Sequence, residues 1–295
     1  MAQAEKITAR DAGTVALGGV LEVHRMGFGA MRITGEGIWG PPPDRNAAVA
    51  VLRRAVELGV SFIDTADSYG PNVSEEIIAE ALAPYPKSLV IATKGGWKRT
   101  GPFQWVHDAS PDHLRQAVEG SLKRLRVDRI DLYQLHIPDP VISFDASMET
   151  LAELRSQGKI RFLGLSNVTR EHIERARKIV PIVSVQNRYS FADREWDYVL
   201  DYCEQNRIAF IPWGPMGGGK VAYDVAVRVA KAHDATPTQI ALAWLLERSG
   251  VMLPIPGTTS IAHLEENIRA SALELTNEEQ VELSKAKKKF TARGV

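Results

Sequence analysis

Short apolar runs alternate with amphipathic segments along nearly the whole chain. The runs are "VSFID" (60–64), "LVIATK" (89–94), "IDLYQLH" (130–136), "IRFLGLS" (160–166), "PIVSVQ" (181–186), "IAFIPW" (208–213) and, less clearly, "VMLPIPG" (251–257). They are shorter than helices and rich in Val, Ile and Leu, as strands buried on both faces are. Between them apolar positions recur at helical period, which predicts helices over 46–58, 74–83, 111–125, 145–157, 169–179, 194–206, 221–233 and 236–248. Caps support these boundaries. Asn72 with Glu75 has capping-box spacing, while Ser110-Pro111 and Thr236-Pro237 place proline just inside a capped start. Gly59 and Gly158 follow helix ends, where a left-handed residue is wanted.

Strands joined by helices argue for parallel βα units. A closed (β/α)8 barrel of the TIM type, α/β in class and one domain over residues 1–295, is the expected architecture. Closure needs an eighth strand, and its best place is around "LPIPG". A doubly wound open sheet is the structural alternative, because counting strands does not prove closure. Ahead of the first helix, "GTVALGGVLEVHRMGFG" alternates around Gly18-Gly19 and predicts an N-terminal β-hairpin.

Polar residues stand where the apolar runs end. Asp64, Lys94, His136, Ser166 with Asn167, Gln186 and Trp213 each lie at or just past the end of a successive strand. In a βα barrel those ends converge on one mouth, where active sites are built. Singly, each has an ordinary explanation: a helix-capping aspartate, a solvated lysine, a core histidine, a packing tyrosine at Tyr69. Their joint placement reverses those odds.

An acid, a tyrosine, a lysine and a histidine around one mouth suit proton transfer to a carbonyl oxygen. A free phenol has a pKa of about 10, and a nearby ammonium favours the phenolate. Lowering it by about 2 units takes roughly 2.7 kcal/mol, within reach of one close cation in a dry site. Lys94 is the expected cation, with Asp64 holding it charged and His136 donating to the carbonyl oxygen.

The stretch "IPWGPMGGGKV" (211–221) has the G-x-x-x-x-G-K spacing of a phosphate loop at Gly214, Gly219 and Lys220. Val221 stands where that motif needs a magnesium-binding hydroxyl, so an ATPase-type loop does not fit. Lys plus Arg equals Asp plus Glu at 36 each, which gives no pointer to nucleic acid or an anionic membrane. The single cysteine, Cys203, falls in a helical stretch and reads as a structural thiol. "MAQAEKITARDAG" is not a signal peptide, and no apolar run is long enough to span a bilayer, so a cytoplasmic location is expected. The 7 histidines show no paired ligand spacing, so no metal is expected and a metal-dependent barrel enzyme is disfavoured.

At these same residues the sequence resembles the aldo-keto reductases. "FIDTADSYG" (62–70), "IATKGG" (91–96) and "DLYQLH" (131–136) are similar to that family's aspartate–tyrosine, lysine and histidine segments. "GLSNVT" (164–169), "VQNRYS" (185–190) and "IPGTTSIAHLEENI" (255–268) are similar to its cofactor segments, so the likeness runs from Met26 to Ile268. The resemblance implies an NADPH-binding (β/α)8 barrel that reduces aldehydes or ketones to alcohols. Tyr69 would be the general acid, tuned by Lys94 and Asp64, with His136 orienting substrate. It further implies that Ser166, Asn167 and Gln186 hold the nicotinamide carboxamide and that Trp213 stacks on the ring. Gly29, Ala30 and Met31 would add cofactor contacts at the first strand. Gly214, Pro215, Met216, Gly218 and Lys220 would close over the pyrophosphate, which turns the glycine-rich loop into a dinucleotide phosphate loop. Gly257, Thr258, Thr259 and His263 would face the adenosine phosphate, with Glu266 and Asn267 at the adenine. Many members carry a lysine and an arginine where this chain has Gly257 and His263, which weakens the expected preference for NADPH over NADH. The segments 35–60 and 68–82 look most like the bacterial pyridoxal-reductase branch, with Trp39, Trp97 and Trp105 as substrate walls or loop anchors. The small carbonyl compound is then the only implied partner. A redox-sensing interaction protein similar to potassium-channel β subunits is the alternative.

Overall fold

The computed structural model describes residues 7–215 and 219–286. An antiparallel hairpin of β1 (Thr14–Leu17) and β2 (Leu21–His24) opens the chain, with Gly18 and Gly19 both at positive φ in its turn. The expected hairpin therefore forms. A short β3 (Phe28–Gly29) follows and leads to α1 (Arg45–Glu57), whose N-cap Asp44 accepts from the Ala47 amide. Then come β4 (Phe62–Asp64), α2 (Val73–Leu82), β5 (Val90–Gly95), and a second hairpin of β6 (Trp97–Gly101) and β7 (Gln104–His107). The alternation continues through α3 (Pro111–Leu125), β8 (Ile130–Leu135), α4 (Phe144–Ser156), β9 (Ile160–Ser166), α5 (Arg170–Ile179) and β10 (Ile182–Gln186). It ends with α6 (Asp197–Gln205), β11 (Ala209–Phe210), α7 (Gly219–Ala232), α8 (Pro237–Arg248), α9 (Ile261–Arg269) and α10 (Asn277–Lys285).

Seven parallel strands make one sheet in the order β11-β10-β9-β8-β5-β4-β3. The segment 251–257 closes it. Phe210 pairs with Met252 in parallel, and the amides of Gly27 and Gly29 donate to the carbonyls of Pro254 and Pro256 at 2.9 and 3.3 Å. This closing edge has no regular ladder because Pro254 and Pro256 have no N–H to donate. The "LPIPG" stretch thus takes a barrel position, but it is the seventh sequence run rather than an additional strand. The eighth strand is β3, which lies at the tail of the stretch expected to be hairpin alone.

The first hairpin plugs the end of the barrel where the strands begin. Val15, Leu17 and Val23 join Phe62, Val90, Leu132, Val183 and Leu253 in one buried apolar cluster. A larger cluster lies between the strands' outer faces and the helices. Burial on both faces is why the strands read as continuous apolar runs.

Helix boundaries follow the caps. Ser110 accepts from the His113 amide, Thr236 forms a capping box with Gln239, and Gly59 and Gly158 sit at φ 84° and 79°. The expected Asn72–Glu75 box does not form. Asn72 is left-handed, at φ 70°, and its side chain makes no cap bond. Glu75 is buried and drawn inward instead, where Thr93 Oγ1 and Arg124 Nε each donate to it at 2.6 Å. The β6–β7 hairpin and the helices α9 and α10 were not among the expected elements.

Candidate active site

The strand register builds one polar layer across the barrel interior. Lys94 pairs with Gln134, Gln134 with Gly164, and Gly164 with Ser184. Gly164 is required there, since a Cβ would lie 2.1 Å from Ser184 Oγ and 3.0 Å from Gln134 Cγ. Asp64, at the end of β4, completes the layer.

Lys94 and Asp64 are almost wholly buried, at 0 % and 2 % exposure. Lys94 Nζ donates to Asp64 Oδ2 at 2.7 Å and to the Thr65 carbonyl at 2.8 Å. Asp64 Oδ1 accepts from Gln186 Nε2 at 2.9 Å and from Gln134 Nε2 at 3.2 Å. Both carboxylate oxygens are therefore satisfied by donors, as a buried charge requires. Burial disfavours the Lys94 ammonium, but the Asp64 carboxylate and then Tyr69 outweigh it, and the net effect raises the lysine pKa. Gln134 was not anticipated. Its signal was a polar residue interrupting the apolar run "IDLYQLH" two positions before the end.

Tyr69 stands in the turn after β4, and its ring meets His136 edge-on at 5.8 Å and 80°. Lys94 Nζ lies 5.3 Å from the Tyr69 ring centroid. The expected lowering of the phenol pKa is not what results. Burial raises it, while the Lys94 charge pulls against that rise and Asp64 reinforces it. Burial is the larger effect, and the ammonium's pull is further opposed by the Asp64 carboxylate held 2.7 Å from it. Burial, with the Lys94 charge adding to it, pushes His136 well below its ordinary range, so the imidazole is neutral. Its Nδ1 is 3.5 Å from Ser68 Oγ.

A second group sits on the neighbouring strand ends. Ser166 Oγ donates to the Gln186 carbonyl at 2.9 Å, and Asn167 Nδ2 donates to the His136 carbonyl and to Ser166 Oγ, both at 3.1 Å. Asn167 Oδ1 accepts from Trp213 Nε1 at 3.2 Å. Asn167 adopts φ 57°, a left-handed conformation that asparagine tolerates. Trp213 is 38 % exposed although its ring N–H is anchored. An exposed aromatic ring pinned beside amides and a hydroxyl is a donor set that a flat, carboxamide-bearing ring fits.

Other expected positions are distributed around the closing edge. A Cβ on Gly257 would lie 2.3 Å from the Gly29 carbonyl oxygen, and one on Gly29 would lie 2.6 Å from that of Ile255. These glycines thus let the two ends of the sheet meet. Ala30 is buried and Met31 half-buried in the 3-10 turn Ala30–Ile33 that follows. Thr258 Oγ1 accepts from the Ser260 amide, Thr259 is exposed, and His263 is exposed in the first turn of α9. Glu266 accepts from Thr236 Oγ1 at 2.7 Å, which ties α9 to the start of α8, and Asn267 is buried. Exposed Arg32 was not anticipated, and its Cγ is 3.7 Å from where a Gly257 side chain would begin. Gly214, at φ 67°, and Pro215 follow Trp213. Met216, Gly218 and the Lys220 side chain lie outside the described residues.

The second hairpin stands over this mouth. Alternation places Trp97 and Arg99 on one face, and the register sets them opposite His107 and Trp105. Trp97 and Trp105 each meet the His136 ring nearly at right angles, at 6.4 and 6.5 Å. Together with Tyr69 they surround the imidazole with aromatic rings. No metal-ligating cluster occurs among the described residues.

The chain matches the sequence profile of the Aldo/keto reductase family over residues 25–288. It is 49 % identical over 279 residues to an uncharacterised oxidoreductase of Schizosaccharomyces pombe, covering 94 % of this chain and 90 % of that protein. It is 44 % identical over 267 residues to pyridoxine 4-dehydrogenase of Escherichia coli, covering 88 % of this chain and 93 % of that one. Among solved structures it is similar to an aldo-keto reductase from Klebsiella pneumoniae in complex with NADPH. The TM-score is 0.80 at 26 % identity, over 95 % of this chain and 97 % of that one. The expected barrel and the expected branch agree with these likenesses: the chain belongs to the aldo/keto reductase family of oxidoreductases.

Proposed function

We propose that the protein reduces aldehydes or ketones to alcohols with NADPH, pyridoxal to pyridoxine being the leading reaction. The observation that carries this reading is the meeting of a phenol, a charged ammonium and a neutral imidazole at one buried mouth. When bound, NADPH supplies the hydride that the carbonyl carbon gains. Tyr69 supplies the proton that the carbonyl oxygen gains, which leaves a phenolate to be reprotonated from solvent. Its raised pKa keeps the proton in place at neutral pH. Lys94 stabilises the phenolate as it forms, and Asp64, held by Gln134 and Gln186, keeps Lys94 charged and oriented. His136, neutral, donates one ring N–H to the carbonyl oxygen and fixes its direction.

Ser166, Asn167 and Gln186 would hold the nicotinamide carboxamide, and Trp213 would lie against the ring. Thr258, Thr259, His263 and Arg32 would meet the adenosine phosphate. The NADPH complex of the Klebsiella relative supports this cofactor, and the E. coli pyridoxine 4-dehydrogenase supports a B6 aldehyde as substrate.

The test follows loss of reduced-nicotinamide absorbance with NADPH and NADH against pyridoxal and a panel of simple aldehydes. Rapid turnover of pyridoxal with NADPH is expected. Tyr69→Phe should lower kcat by about 10³-fold while NADPH affinity stays within about twofold. A Tyr69→Phe enzyme turning over at wild-type rate would remove the phenol from the mechanism. Tight NADPH binding with no carbonyl reduced would favour the redox-sensing alternative.

A further inference from the structure

Arg99 is half-buried, and its five N–H donors all go to main-chain carbonyls. Nε donates to Gln104 O at 2.8 Å, Nη1 to Ile38 O at 2.8 Å and Ser68 O at 3.0 Å, and Nη2 to Gly37 O at 2.8 Å and Gly101 O at 3.3 Å. That exhausts the fork of a guanidinium. Its Cζ also lies 3.7 Å from the Trp105 ring centroid and 5.8 Å from that of Trp39. Burial lowers its pKa and no carboxylate among the described residues offsets this, so the side chain is not half of an ion pair.

The acceptors belong to three separate stretches. Gln104 and Gly101 are in the β6–β7 hairpin, Gly37 and Ile38 in the loop 36–40, and Ser68 directly precedes Tyr69. The loop and the tyrosine turn are joined again from the other side. Gly70 N donates to Ile38 O, Gly40 N to Gly70 O, and Trp39 bridges Gly70. Phe103 N, at the hairpin tip, donates to Gly37 O. Gly37 leaves no slack, since a Cβ there would lie 2.7 Å from Pro102 Cβ. The residues on either side of Tyr69 are thus fixed, directly or through Ile38, by one guanidinium. The same guanidinium sets the pitch of Trp105, whose ring faces His136.

We propose that Arg99 is a positioning residue, which clamps the β6–β7 hairpin onto the loop 36–40 and the Ser68–Tyr69 turn and thereby holds Tyr69 and the Trp97–Trp105 wall in register with His136. This rests on Tyr69 being the acid at a carbonyl site. The hairpin is then part of the built site rather than a lid that must close. Lysine cannot substitute, because an ammonium has three donors in no fixed plane and does not lie flat on an indole.

The experiment compares Arg99→Ala and Arg99→Lys with wild type in the full chain. NADPH affinity is read by quenching of tryptophan fluorescence, and kcat by pyridoxal reduction. Expected is a kcat lower by about 10²-fold in both variants, the scale of an angstrom of misplacement, with NADPH affinity within about twofold. A kcat within about threefold of wild type in Arg99→Ala, or full recovery in Arg99→Lys, overturns the clamp. Hydrogen exchange on wild type gives a second reading that survives a variant that does not fold. Peptides covering 36–40, 68–70 and 97–107 should share one protection level, and a hairpin exchanging about 100-fold faster than the 68–70 turn overturns the proposal. The exchange reading also separates the two claims. If wild type reduces no carbonyl, the proposed function fails while the clamp still stands or falls on its own.

Discussion

The two halves of the mouth are held by opposite means. The inner half, Asp64, Lys94, Gln134 and Gln186, is set by strand register, and its side chains bond to one another. The outer half, the loop 36–40 and the β6–β7 hairpin, has no strand partner in the barrel among the described residues and is gathered by a few main-chain bonds and one side chain that bonds to all three segments. Strands place a group to within the tolerance of a ladder, so charges can be buried there and still be met. Loops need a separate device to reach the same precision. Tyr69 stands where the two halves join, with the strand-held Lys94 beneath it and the Arg99-held Ser68 before it.

Breaking the inner half should have the larger effect. Lys94→Met removes one partner of a buried pair and leaves the Asp64 carboxylate with only amide donors. The loss of stability should be about 3–5 kcal/mol, seen as a lower urea midpoint with unchanged slope, and carbonyl reduction should fall by at least about 10²-fold. Asp64→Asn added to Lys94→Met should return part of the stability, because no buried charge then remains, but none of the activity. An unshifted midpoint in the single variant would mean that the pair is not buried as described.

These two halves also differ in how far the sequence exposes them. Asp64, Lys94, His136, Ser166 and Gln186 stand out because each ends an apolar run, and a polar residue at the end of a buried parallel strand has few other reasons to be there. The closing edge was half visible. "LPIPG" marked one side, while β3 is two residues long and hidden behind a hairpin pattern. Arg99 was not legible at all. Its partners are main-chain carbonyls up to 62 residues away, which leave no mark on side-chain type. The alternation of "WKRTG" against "QWVH" around a Pro-containing turn was the one available sign of the hairpin. Glu75 misled for a related reason: capping spacing is local, but its carboxylate is claimed by Thr93 and Arg124 from other elements.

A gentler probe of the inner half is Gln134→Leu. It removes the longer of the two amide bonds to Asp64 Oδ1, at 3.2 Å, and keeps the one from Gln186 at 2.9 Å. A hydrogen bond to a charged group contributes about 1.5–3 kcal/mol, and a surviving partner should hold the loss near the lower figure. Activity should drop by less than about tenfold, since Lys94 keeps its own bond to Oδ2. A loss as large as that of Lys94→Met would show that Gln134, not the ion pair, governs the lysine.

The smallest expected effect is that of pH on the reaction, and it separates burial from charge at Tyr69. A raised phenol pKa means that the acid stays protonated until pH passes its ordinary value of about 10. A lowered imidazole pKa means that His136 stays neutral until pH falls below about 6.5. Between about pH 7 and pH 9.5, kcat/KM for carbonyl reduction at saturating NADPH should therefore be nearly flat. The linkage signs agree. The unfolded chain takes up a proton on His136 below about 6.5, so the stability from its neutral burial is complete above that pH and lost as pH falls through the lower folded value. The unfolded chain ionises Tyr69 above about 10, so that contribution is complete below it and lost as pH rises through the higher folded value. A profile that bent near pH 8 would reverse the electrostatic ranking. Lys94 would then lower the phenol more than burial raises it, and the Asp64 pairing would leave more of the lysine's charge in play than a 2.7 Å contact implies.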